Sequence, residues 1–220
     1  MHMSIIYNSF ESLVRPMPFG FSFYEMRPMM LAYSGSIKYN RHNLDEIVAM
    51  YAEQRKMWEA SKTRQSLVEQ LEKFTPGQIA GITKIIGFAL GDVAMSKEKE
   101  DRDVQRPLAQ HVSLLTIAEI LKERNGGREV PCYSQDPAND AGAGTEFIKM
   151  IGIMPLKDPK GFLAVDENTL VVSVAPNVPV KQILTDIQWP KAMIWDTVKV
   201  SKKGEWGPTE NDDRKVVWTS

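Results

Sequence analysis

The chain carries a single cysteine in 220 residues, Cys132. One thiol cannot close a disulfide within the chain or build a cysteine zinc site, and this usage fits a reducing compartment. Histidine is almost as scarce, and His2, His42 and His111 show no metal-ligand spacing. No window approaches the ~18 uninterrupted apolar residues of a membrane span. Met1 to Glu11 lacks the charged start and apolar core of a secretory signal. The expectation is a cytoplasmic protein with no membrane partner. An excess of one charge is missing too. Lys and Arg number 27 against 28 Asp and Glu, and the pI is about 6.3. Bases and acids are interleaved, so the basic stripe of a nucleic-acid binder is absent and no nucleic acid is expected.

Catalytic fingerprints are also lacking. There is no Gly-x-Ser-x-Gly elbow. The stretch ITKIIGFALGDVA, residues 82–94, ends an apolar run in Gly87, Gly91 and Asp92. A dinucleotide site needs G-x-G-x-x-G, so that the backbone can turn tightly and approach a pyrophosphate. Here three residues separate the two glycines and no third follows. The Gly-Lys-Ser/Thr of a P-loop is missing as well. A charged loop, SKEKEDRDVQR, precedes the next helix, so its N-terminus is not expected against the turn. No cofactor is predicted.

What is present is a globular composition. The apolar fraction, 43%, is ordinary, and the length allows a sizeable core. Residues 14–36 are rich in Met, Phe, Tyr and Pro. Pro16, Pro18 and Pro28 argue against a regular helix or a central strand there. Residues 1–42 therefore read as an irregular arm, which either fills a groove or forms a lid over an apolar ligand. Asn43 suits a helix N-cap, with Asp45 and Glu46 in the first turn. Leu44, Ile47, Val48, Tyr51 and Trp58 recur at helical spacing, and Leu67, Val68, Leu71 and Phe74 continue the pattern. One long helix, or two in series, runs to about Lys73, where TPGQ breaks it.

From residue 82 the pattern changes. ITKIIGFAL is a nearly continuous apolar run, as in a strand buried on both faces. A helix follows over about 105–124, closed by Gly126 and Gly127. REVPCYSQDP reads as a strand, GTEFIKMIGI as a short helix and turn, and TLVVSVAP (169–176) as another strand. VPVKQILTDI starts a helix, and AMIWDTV (192–198) is a last strand. The alternation predicts an α/β protein, a Rossmann-like three-layer sandwich with a mostly parallel sheet, preceded by the N-terminal arm and long helix. This domain spans 43–200. Residues 201–220 form a polar tail, apart from Trp206 and the VVW of 216–218.

These pieces together resemble the Sensitivity to Red Light Reduced-like (SRR-like) domain, in its fungal branch. The resemblance rests on ITKIIGFALGDVA, RPLAQHVSLLTIAEIL, YSQDPA, MPLKDPKGFLAVDENTLVVSVAPNVPV and AMIWDTV, with MWEASKTRQSLVEQL as the lead-in helix. It covers about residues 45–200. Many non-fungal members carry Pro-His-Cys where this chain has Pro176, Asn177 and Val178, so no role of that His or Cys passes to it. The resemblance implies a regulator. Relatives are linked to light and circadian signalling in plants and to haem metabolism in animals, with no defined reaction attached to the fold.

In open α/β sheets, ligands bind beyond the carboxyl ends of the strands, near the point where strand order reverses. That rule selects Gly91 and Asp92, then Gln135 and Asp136, then Pro176 and Asn177. Asp136 stands where an acid could bind a ribose hydroxyl, or it belongs to a helix-capping turn. Asn177 either lines the site or caps the next helix. His111 is a candidate base, although a lone helical histidine is more often packed or solvent-facing. Cys132 reads as an inert thiol in a buried strand. Phe19, Phe21 and Phe23 would line an apolar enclosure if the arm is a lid. Three functions remain open: a ligand-binding regulator, a cofactor-independent cyclase or isomerase, and a divergent methyltransferase-like protein. The expected partner is a small apolar ligand, and a homodimer is among the arrangements the sequence allows.

Overall fold

The chain enters its first long helix through a capping box. The Asn43 side chain accepts from the Glu46 amide (3.0 Å), and the Glu46 carboxylate accepts from the Asn43 amide (2.9 Å). The computed structural model describes residues 2–7, 29–34, 40–96, 102–137, 142–174, 176 and 178–195. Ahead of the capping box, β1 (His2–Tyr7) and β2 (Met29–Ser34) form an antiparallel ribbon inside the segment read as an irregular arm. β3 (Asn40–Arg41) then leads into α1 (Leu44–Glu59). Ser61 caps α2 (Lys62–Glu72), so the long helical pattern is two helices in series. TPGQ does more than break the pattern. Thr75 caps a further short helix, α3 (Pro76–Ile79).

Five strands then build one sheet. β4 (Lys84–Phe88) is followed by the two-residue β5 (Met95–Ser96), which pairs antiparallel with β3 outside the sheet. α4 (Arg102–Arg124) crosses over to β6 (Cys132–Gln135), and α5 (Ala143–Met150) leads to β7 (Ile153–Pro155). α6 (Lys160–Ala164) leads to β8 (Thr169–Ser173), and α7 (Val180–Ile187) to β9 (Ala192–Trp195). The sheet order is β7-β6-β4-β8-β9, with every neighbouring pair parallel. The protein is thus α/β and Rossmann-like, as the alternation predicts. The sequence pattern misses β7, reading its first residue, Ile153, as the end of a helix and turn and assigning no strand to the next two. β7 is an edge strand, where Pro155 need not donate to a second neighbour.

β4 is central, and its successive side chains point to opposite faces. Ile85 joins a core with Leu114, Ile117, Phe147 and Ile153, under α4 and α5, and α1 adds Ile47 to it. Ile86 and Phe88 join a smaller core with Phe162, Val171 and Leu184, under α6 and α7. The Phe88 and Phe162 rings stack 4.6 Å apart. Trp58 of α1 donates its indole N–H to Thr116 of α4 at 2.9 Å, fixing the outer helix on the inner one. Among the described residues, no helix is long and apolar enough to cross a membrane.

Candidate functional site

The strand order reverses between β4, which is followed by β6 on one side, and β8, which is followed by β9 on the other, so the crevice of interest lies beyond the carboxyl ends of these two strands. The chain leaves β4 through Ala89 and Gly91, both at positive φ (55° and 87°). At Gly91 a side chain is excluded by space as well as by conformation. A Cβ there would lie 2.7 Å from Cγ of Pro107. The turn is therefore held against α4 at Pro107, five residues after the helix starts.

Asp136, at the end of β6, accepts from the Gly91 amide at 2.7 Å. The sequence rule thus brings together two residues 45 positions apart. The carboxylate grips the turn itself. The N-cap of α5 is Gly142, six residues further on, with no side-chain cap hydrogen bond.

Asp92 is nearly fully buried. Its Oδ1 accepts from the Ala94 amide (2.9 Å), and its Oδ2 lies 2.9 Å from Nη2 of Arg41. The start of α5 closes over it, so that a side chain on Gly144 would sit 3.2 Å from Oδ1. Burial raises the Asp92 pKa, and the Asp136 charge adds to the rise. The Ala94 amide, Arg41 and His111 oppose it.

His111 is wholly buried on the inner face of α4. Its Nδ1 is 2.7 Å from the Pro107 carbonyl. A carbonyl only accepts, so Nδ1 carries the proton and Nε2 presents a lone pair. Nε2 is buried without a hydrogen-bond partner. Burial drives the pKa of His111 down to about 4, against the Pro107 carbonyl and the nearby Asp92 charge. The imidazole is neutral at pH 7.

Gln135 fastens two elements together. Its Nε2 donates to Asp158 (2.9 Å), and its Oε1 accepts from the Gly161 amide (2.5 Å), tying α6 to β6. Ser173 ties β8 to β4 through the Phe88 carbonyl (3.0 Å). Two residues at this edge carry no sequence signal at all: Arg41, which reaches Asp92 from the segment before α1, and Ser134, whose Oγ is buried without a partner. Pro176 is buried. Asn177, Phe19, Phe21 and Phe23 lie outside the described residues.

The opposite end of the sheet holds a cleft of about 460 Å³, lined by Tyr51, Arg55, Glu119, Lys122, Cys132 and Ile151 among others. Its rim is charged, with Lys122 paired to Glu129 and Arg55 to Glu59. The Cys132 thiol at its floor is pushed up to about 12 by burial, as expected of an inert core thiol. This cleft and the buried polar groups therefore lie at different ends of the sheet. The carboxyl edge is the better candidate site, because buried groups with unmet bonding capacity lie there. Among the described residues no cluster of His, Cys, Asp or Glu could hold a metal ion.

A model of the SRR1 domain matches residues 64–215, well over half of the chain. This chain belongs to the SRR1 domain family. The match begins inside α2, so α1 and Arg41 precede it, and it runs into the residues set aside as a tail. Gly91, Asp92, His111, Ser134 and Asp136 all fall within it. No curated protein and no solved structure matches the chain.

Proposed function

We infer that this SRR1-domain protein binds a small molecule at the carboxyl edge of its sheet, in a regulatory role and without a standard nucleotide-cofactor motif. One observation carries the reading. His111 is wholly buried beside Asp92 and presents an unpartnered Nε2 at the fold's customary ligand position. The Arg41–Asp92 pair supports the regulatory part, since it links the segment ahead of the family domain to the site. Asn177 in place of the Pro-His-Cys histidine favours the fungal branch. The single buried thiol suits a reducing, cytoplasmic setting.

A cofactor-independent enzyme is the second reading. It is favoured by one feature, a histidine of fixed tautomer near a carboxyl of raised pKa, which is an acid–base arrangement. A methyltransferase has no comparable support, because Asp136 spends an oxygen on the Gly91 amide.

The test is native mass spectrometry of the purified chain, identification of any co-purified metabolite, and its titration into 15N-labelled protein. The amides of Gly91, Ala94 and Gly161 are expected to shift. Shifts confined to Tyr51, Arg55 and Ile151 would move the site to the opposite cleft and overturn the reading. Turnover of the metabolite would promote the enzyme.

A further inference from the structure

Among the described residues, two buried side-chain atoms lack partners, His111 Nε2 and Ser134 Oγ, and both belong to one face of the sheet. Tyr133 packs with the core under α6 and α7, while Cys132 joins the core under α4 and α5. Side chains alternate along a strand, so Ser134 shares the face of Cys132. His111 descends onto that face from α4, between Leu108 and Leu114 of the same core. Ser134 pairs with Gly87, near the end of β4, and His111 senses the charge of Asp92 just beyond that end. Neither polar group would be stable in an apolar core without something to bond.

We propose that His111 and Ser134 together receive one neutral polar group of the ligand, a primary amide or a hydroxyl, and that they discriminate against anions. This rests on placing the ligand at the carboxyl edge. The chemistry is complementary. Nε2 can only accept, because the proton sits on Nδ1, so the incoming group must donate. The Ser134 hydroxyl can donate in return, so the group should also accept. A primary amide does both, and an alcohol does both through one oxygen. A carboxylate offers acceptors only and a phosphate mostly acceptors, and either anion would face the lone pair of Nε2 together with the carboxylates of Asp92 and Asp136. The one guanidinium shown at Asp92, that of Arg41, is already paired with it. The apolar residues of the same core, Leu90, Leu108 and Leu114, suit an apolar body behind this polar head.

The probes are acetamide and acetate, which have nearly the same shape. Long-range 1H–15N imidazole spectra of the full-length chain at pH 7 read the Nε2 resonance of His111 directly. Acetamide is expected to shift it saturably, and acetate is not. Ser134→Ala should weaken acetamide binding by about five- to tenfold, the equivalent of one hydrogen bond, while leaving the thermal midpoint unchanged or higher. His111→Phe should abolish binding. If that variant does not fold, the Ser134→Ala comparison decides alone. The proposal is overturned by an Nε2 resonance that acetamide does not move, by acetate acting as strongly, by unchanged affinity in Ser134→Ala, or by an ordered water that acetamide fails to displace. A metabolite that shifts the Gly91 and Ala94 amides but not His111 Nε2 would sink this proposal and leave the site reading standing.

Discussion

Arg41 and Asp92 meet at 2.9 Å, the arginine half exposed and the carboxylate almost fully buried. The pair joins the short β3–β5 ribbon, where the His42 amide also donates to the Ala94 carbonyl at 2.8 Å. The segment ahead of the family domain is thus fastened to the turn that ends β4. Removing a partner from a buried pair is costly, but solvent screens the half-exposed guanidinium. Arg41→Ala is expected to cost about 1–2 kcal/mol in urea unfolding, and Asp92→Ala more, because it also strands the Ala94 amide. Equal losses would mean that Arg41, not the amide, accounts for the role of Asp92.

His111 sets a pH dependence of definite sign. Its pKa is about 4 when folded and near 6.5 when unfolded, so the unfolded chain binds the extra proton first. Stability should be full above pH 6.5 and fall as pH drops toward 4, by about 3 kcal/mol in all. Asp92 works the other way. Its raised folded pKa means that stability falls as pH rises from the unfolded carboxyl value through the folded one. His111→Phe should therefore flatten the acid limb of a stability–pH curve, and Asp92→Asn should steepen it. An unchanged acid limb in His111→Phe would show that His111 is not the group responsible.

Two glycines separate conformation from contact. Gly91 and Gly126 both have positive φ, but only Gly91 faces a neighbour, Pro107 at 2.7 Å from a built Cβ. Gly126→Ala pays for the left-handed backbone alone, about 1 kcal/mol. Gly91→Ala adds overpacking against a helix, for about 2–4 kcal/mol together. Thermal or urea unfolding of the two variants checks this, and similar losses would mean that the turn and α4 can part.

What the sequence discloses depends on how local the cause is. β4 is readable because a strand buried on both faces must be apolar throughout. β7 is not, since its three residues are held by pairing with β6, and no periodicity can show in so short a span. The strand-end rule finds Gly91, Asp92 and Asp136 because topology alone places them together. His111 reads only as a lone helical histidine, packed or solvent-facing, and its burial comes from the structure. Nothing local marks Arg41 as the partner of Asp92. Ser134 is invisible for a different reason. A serine in a buried strand normally finds a backbone partner, and only the structure shows that this one does not.

Gln135, expected at the ligand edge, also fastens α6 to β6, and its substitutions separate the two roles. Its Oε1 takes the buried Gly161 amide and its Nε2 gives to Asp158. Gln135→Leu leaves that amide unpaired, at a cost of about 1–3 kcal/mol. Gln135→Glu keeps the acceptor for Gly161 but sets a second carboxylate against Asp158 where a donor stood. It should be at least as destabilising at pH 7 and recover as pH is lowered and the introduced carboxyl protonates. A residue that only fastens α6 to β6 changes stability without changing which small molecules bind. Urea midpoints at pH 7 and 5, combined with acetamide titrations of each variant, separate the two roles. A Gln135→Leu protein of normal stability but altered ligand choice would return Gln135 to the site.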